Sequence, residues 1–276
     1  PNATEEDLNK AMPIIAKYNL PLLVHCELTD NEQRATANVA SYQNYLNSRP
    51  KKWEDDAIAM MIRLCEKHHC RTHIVHLSSA DSLEQIAAAK QKGLPITVET
   101  GQHYLFFNAE DISDGQTQFK CAPPIREKEN NEKLWKALRE GLIDFVATDH
   151  SPATPSLKEI ESGNFMKAWG GIASIQFALP VLWTVAKAWG FNFVDIARWL
   201  CENPAKLIGK GNSKGKIEAG FDADLIVVDE EASFIVDESC CHHKHKLSPY
   251  MGIELYAVVE QTYLAGELIY SDSKFI

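Results

Sequence analysis

Positive charge is in short supply in this chain: 28 Lys and Arg stand against 38 Asp and Glu, a formal net charge of −10. A nucleic-acid partner requires a basic footprint, so that class is excluded. Long apolar runs are also missing. None approaches the roughly 18 residues that span a bilayer, which argues against a membrane role. The opening Pro1-Asn2-Ala3-Thr4-Glu5-Glu6-Asp7 has neither the basic nor the apolar part of a secretory signal. It has no initiator Met, which reads as a fragment or a processed chain. Cysteine is sparse and odd in number, seven, without the spacing of a disulfide framework. Free thiols in a reducing compartment are expected, hence an intracellular protein of the cytoplasm or an organelle. Cys240-Cys241-His242-His243 lacks the distant second ligand pair of a zinc site and reads as a loop. Internal repeats, low-complexity tracts and flexible linkers are absent as well.

What remains is an ordinary globular composition, 45% hydrophobic and 24% charged over 276 residues. That length buries a substantial core, as one large domain or one with a small satellite. The most informative feature is a repetition. Pro21-Leu22-Leu23-Val24 runs into His25, Thr72-His73-Ile74-Val75 into His76, and Ile143-Asp144-Phe145-Val146-Ala147-Thr148 into Asp149-His150. Short apolar runs with β-branched residues read as strands buried on both faces. Helical patterns separate them, which predicts parallel strands with their C-terminal ends side by side. His, His and Asp meeting at that end of a (β/α) barrel suggest a metal-dependent hydrolase.

Helices are predicted over residues 5–18, with Thr4 and Asp7 as a capping box, over 53–69, over 82–92 closed by Gly93, and over 131–140 closed by Gly141. Residues 32–47 are polar, loop-like or helical, Ile96-Thr97-Val98-Glu99-Thr100 is a further strand, and 105–130 form a long connection. Helices near 173–189 and 193–208 complete this region. After Gly209 the pattern changes to turns and strands, with Ala265-Gly266 as a hairpin signal. The expected division is therefore 1–212, a βα region, and 213–276, a small β module.

With these residues on the page, the chain resembles the cyclic amidohydrolases and, within them, the allantoinases. Val24-His25-Cys26-Glu27, His76-Leu77-Ser78-Ser79, Thr148-Asp149-His150-Ser151-Pro152, Asn203-Pro204-Ala205-Lys206 and Lys214-Gly215-Lys216-Ile217 carry the wider resemblance. Ser48-Arg49-Pro50, Glu99-Thr100 with His103-Tyr104-Leu105, Lys120 to Arg126, and Ala168 to Gln176 carry the narrower one. Each motif alone is weak; in order they are strong. The resemblance implies an α/β fold, the C-terminal half of a (β/α)8 TIM barrel (strands 5–8) plus part of a small β domain. It implies hydrolysis of the cyclic amide of allantoin to allantoate by a centre of two divalent metals, with zinc expected and manganese, iron or cobalt open. His25, His76 and Asp149 match the family's fifth-, sixth- and eighth-strand ligands. The first-strand His-x-His and the carboxylated lysine have no counterpart here, since Lys10 and Lys17 lie on the predicted first helix. The chain alone is accordingly expected to be an inactive portion.

Two cations ~3.5–4 Å apart acidify a shared water and polarise a carbonyl. Asp149, otherwise a strand-end or helix-cap carboxylate, would take the water's proton and pass it to the departing nitrogen. Cys121, Ala122, Gly170 and Gly171 are the expected substrate-binding residues, although the glycine pair fits a positive-φ turn equally well. Ser151 would orient Asp149 or cap a helix, Trp169 would pack or touch ligand, and Glu99 would support a ligand or form a loop ion pair. His68, His69 and His73 read as structural or exposed. His103 follows the third strand, but the family pattern gives it no ligand role. The expected partners are a small-molecule substrate and further copies of the chain, as a homodimer or homotetramer. Dihydroorotase or hydantoinase activity is the nearest rival reading, and a non-catalytic structural relative the second.

Overall fold

The computed structural model describes residues 2–30 and 38–276. The polar segment read at 32–47 therefore lies partly outside the described residues. The chain divides into two compact units, Pro1–Ile172 and Ala173–Ile276. That division follows packing; the boundary proposed at 212/213 follows the change of sequence texture.

In the first unit, α1 (Glu5–Lys17) starts at the Thr4–Asp7 capping box, where each side chain satisfies a backbone N–H of the other residue. Strands β1 (Leu22–Val24), β2 (Thr72–Ile74), β3 (Ile96–Gly101) and β4 (Phe145–Ala147) form one parallel sheet in sequence order. Between β1 and β2 lie α2 (Tyr42–Ser48) and α3 (Lys51–His68); α4 (Leu83–Gln91) follows β2; α5 (Gln102–Phe106) and α6 (Lys128–Arg139) follow β3. This is the βα order of a barrel arc. Every strand runs the same way, so the chain leaves all four at one rim.

Burial on both strand faces, expected from the apolar runs, holds for β2 but not throughout. Ile96, Val98 and Thr100 are buried while Thr97 and Glu99 alternate with them half-buried, and Leu23 on β1 is 55% exposed. Helices cover one face of the sheet among the described residues. The other face carries Leu23, His73, Thr97 and Glu99 through the register Leu23–His73–Thr97. That face bears polar side chains, which suits a surface where a ligand meets the sheet.

In the second unit, α7 (Ala178–Ala186), α8 (Phe193–Ala197) and α9 (Asn203–Leu207) precede an antiparallel sheet of β5 (Leu225–Ile235), β6 (Glu254–Leu264), β7 (Glu267–Ser271) and β8 (Lys274–Phe275). Trp183 Nε1 donates to the Glu230 carbonyl at 3.0 Å, and the Tyr256 amide donates to Thr184 Oγ1 at 2.9 Å, tying α7 to the sheet. The expected hairpin is present: Ala265 and Gly266 both have positive φ, 51° and 84°, as a two-residue type I′ loop requires. Residues 240–243 are a loop, and all seven cysteines are free.

Candidate active site

Two of the three strand-end residues share an unusual backbone. His76 and Asp149 each sit two residues past the end of their strand and adopt positive φ, 41° and 44°. Non-glycine residues rarely hold that conformation unless their surroundings enforce it, and such positions cluster at functional sites. For His76 the enforcement is visible. The fully buried Glu54 carboxylate accepts the Ser78 and Ser79 amides at 2.7 and 2.8 Å, pinning the turn that follows His76. Burial pushes the Glu54 carboxyl up to about 7, against the pull of Arg126 and those two amides. Ser151, next but one to Asp149, is tied by its amide to the Ile172 carbonyl at 2.9 Å.

His25 Nδ1 and His76 Nε2 face each other at 3.0 Å, with the rings edge to face. Burial and then the neighbouring His25 lower the His76 pKa to about 4, so its ring is neutral at pH 7. Asp149 is half-buried on the same rim. Burial and repulsion from Glu99, opposed by His25, raise its pKa to about 6. The three residues thus share an electrostatic neighbourhood at one end of the sheet.

Of the supports of these groups, sequence reasoning offered Glu99 as one of two readings and missed the roles of Glu27, Arg49 and His73. His25 Nε2 meets Glu27 Oε2 at 3.0 Å, and Arg49 forks onto both Glu27 oxygens, through Nε at 3.1 Å and through Nη2. Burial works against ionising Glu27, but His25 and Arg49 hold it below its ordinary value. A carboxylate on the far nitrogen of an imidazole sets the ring's tautomer and aims the other nitrogen. His73, expected to be structural or exposed, is fully buried, bonded to Thr97 Oγ1 at 2.8 Å and Glu99 Oε2 at 3.1 Å, and stacked on Phe145. It therefore fixes the carboxylate that acts on Asp149. The one-residue spacing in His25-Cys26-Glu27 was the available signal for the first support. The second depends on strand register, which a sequence does not display.

The predicted substrate-binding residues gather in two segments. The 120–125 run is held by its carbonyls: Tyr45 hydroxyl donates to that of Cys121 at 2.6 Å, Tyr104 to Pro123 at 2.8 Å, Ser78 to Pro124 at 2.7 Å and Tyr42 to Ile125 at 2.8 Å. Among the described residues the Ala122 carbonyl meets no donor. Gly170 and Gly171 do not have positive φ, so the turn explanation is corrected. Close approach requires the second of them: a Cβ on Gly171 would lie 2.5 Å from the Ser151 Cβ, while one on Gly170 would sit tightly, 3.3 Å from the Ala122 Cβ. Ser151 Oγ accepts from Trp169 Nε1 at 3.0 Å, which commits both side chains to this junction. His103 is fully buried against Gly101, and burial followed by the charge of nearby His76 lowers its pKa to about 3.

His25 Nδ1 and His76 Nε2 converge as two ligand nitrogens on one cation would, and His76 is held neutral as ligation demands. Among the described residues no group of three or more His, Cys, Asp or Glu side chains is arranged to hold a metal. The imidazole pair fits two coordination positions, and Asp149 lies near without completing a third.

The Amidohydrolase family matches residues 1–269. The chain is 43% identical over 97% of its length to the allantoinase of Arabidopsis thaliana and 42% identical over its whole length to that of Streptomyces avermitilis. It spans 55% and 61% of the lengths of those two relatives. Among solved structures, an L-hydantoinase (dihydropyrimidinase) from Arthrobacter aurescens superposes with a TM-score of 0.92 at 28% identity, covering all of this chain and 62% of that one. Members of this family are metal-dependent hydrolases, and no described helix here is long and apolar enough to cross a membrane. With a family match running almost end to end over a parallel βα sheet whose rim gathers His25, His76 and Asp149, the chain belongs to the amidohydrolase family.

Proposed function

We propose that this sequence serves the hydrolytic opening of the hydantoin ring of allantoin to allantoate, with His25, His76 and Asp149 as metal ligands and Asp149 as the proton carrier. The observation that carries the reading is the facing pair His25 Nδ1 and His76 Nε2 at the strand rim, in a chain whose similar relatives are named allantoinase. Divalent metal, when bound, supplies Lewis-acid polarisation of the ring carbonyl and a more acidic water. Zinc leads, with manganese, iron and cobalt as alternatives, because imidazole and carboxylate accept them all. The chain's own residues do the rest. Glu27 and Arg49 keep the ligating nitrogen of His25 pointed at the site. Asp149 accepts a proton from the attacking water as the new C–O bond forms, and delivers it to the ring nitrogen as the C–N bond breaks. The Ala122 main chain and the Gly170–Gly171 segment read the ring, whose neutral amide edges match backbone donors and acceptors.

Arg126 supports allantoin over a carboxylate-bearing substrate such as dihydroorotate. It is buried and donates to the Arg49 carbonyl at 2.8 Å, which commits it to the scaffold. Metal-loaded protein carrying this sequence should turn over allantoin in preference to hydantoin, dihydrouracil and dihydroorotate, with allantoate as product by chromatography. Turnover of dihydrouracil or dihydroorotate without turnover of allantoin defeats the assignment. Self-association as a dimer or tetramer and an intracellular location complete the proposal; light scattering and cell fractionation check them.

A further inference from the structure

Two lysines outside the reacting groups are buried, and among the described residues neither forms an ion pair with a carboxylate. Lys158 is 3% exposed and Lys120 8%. The Lys158 ammonium donates to three carbonyls: Lys120 at 2.6 Å, Trp169 at 2.9 Å and Gly171 at 2.5 Å. Lys120 Nζ in turn donates to Ala168 at 2.6 Å and to Met166 at 3.3 Å, and lies 5.0 Å from the centre of the Tyr45 ring. Five N–H···O=C bonds from two ammonium groups therefore stitch the 120–122 segment to 166–171. An ammonium has three donors and no acceptor, so three converging carbonyls satisfy Lys158 completely. Removing such a cation from water is costly, and an apolar side chain would cement two loops at less expense. The lysine's particular merit is to fix where three carbonyls lie relative to one another.

We propose that Lys158 is a positioning residue for substrate recognition. Its ammonium holds the Lys120 carbonyl on one segment and the Trp169 and Gly171 carbonyls on the other. It thereby sets the Ala122 main chain, whose carbonyl meets no donor among the described residues, against Gly170. The inference rests on the ring-reading role given above to those segments. The ligand class is a neutral cyclic ureide, read by main-chain groups whose spacing this strut maintains. The strut makes no contact with His25, His76 or Asp149 through its three bonds, so its loss should spare the metal site.

The test uses metal-loaded protein carrying the sequence, as parent, Lys158→Met and Lys158→Gln. The readouts are metal content, kcat and KM for allantoin, and hydrogen exchange of the 166–172 amides. Lys158→Met is expected to keep its metal and lose on the order of tenfold or more in kcat/KM, mainly through KM, with faster exchange in 166–172. Lys158→Gln, which retains two donors, should fall between Met and parent. A folded Lys158→Met with parental KM and exchange overturns the proposal. So does failure of both variants to fold, which would assign the lysine to folding. If the parent opens no allantoin while Lys158→Met still loosens 166–172, the substrate assignment fails and the strut survives as a structural fact.

Discussion

The two units of this chain bury different things. Among the described residues the buried charged and imidazole side chains all belong to the first unit: Glu54, His73, His76, His103, Lys120, Arg126 and Lys158. The second unit buries apolar side chains and keeps its charges at the surface, as with Lys214 among Asp222 and Asp224. Polar groups are costly inside a protein unless each finds its counterpart. In the first unit Glu54, Lys120, Arg126 and Lys158 offset part of that cost by bonding loop carbonyls and amides, whereas Gln102 and both ring nitrogens of His103 are buried with no hydrogen-bond partner among the described residues. Its buried polar groups serve position, whereas the second unit's core serves cohesion.

The contrast can be attacked at its strongest point first. With Asp149 as the proposed proton carrier, Asp149→Asn in metal-loaded protein should lower kcat for allantoin on the order of 10³-fold. A loss below tenfold would remove the rim from the centre of the chemistry. Glu27→Gln comes next. Without the carboxylate on His25 Nε2, metal affinity should weaken about 10–100-fold, read by chelator competition. An unchanged affinity would reduce the Arg49–Glu27–His25 chain to a surface tether.

The buried imidazoles sharpen the comparison by pH. Burial, and then nearby His76, lower the His103 pKa in the folded chain to about 3, against an ordinary value of 6.5. Between these values the unfolded chain binds more protons, so stability falls as pH drops from 6.5 toward 3. His103→Gln should flatten that slope in urea unfolding measured at pH 7 and pH 4. An identical slope would mean that the buried imidazole does not set the acid sensitivity. The smallest effect belongs to the second unit: Ala265→Gly, at φ 51° in the hairpin, should stabilise by about 0.5–1 kcal/mol. Thermal melts should show it with catalysis unchanged.

Much of the first unit was legible because its signals are local. Thr4 and Asp7 announce a helix start by spacing alone, and Gly93 and Gly141 mark chain reversals that need positive φ, 73° at each. His25, His76 and Asp149 were legible because each ends an apolar run. The glycine pair left two readings open, because dihedral freedom and steric room leave the same letter in the sequence; the backbone angles remove the first. His73 and Lys158 gave no readable signal. A histidine inside a strand and a lysine in a polar stretch look alike whether they face solvent or hold three carbonyls.

By itself the sequence determined the order of helices and strands, the common direction of the four rim strands and the residue types offered at their ends, because periodicity, capping and turn chemistry act within a few residues. The tertiary structure alone decided which groups meet: Glu27 behind His25, Glu54 beneath the Ser78–Ser79 turn, and Lys158 between two loops. Those contacts join residues far apart in the chain, apart from the His25–Glu27 pair. Their geometry follows from register and packing, which no local pattern encodes.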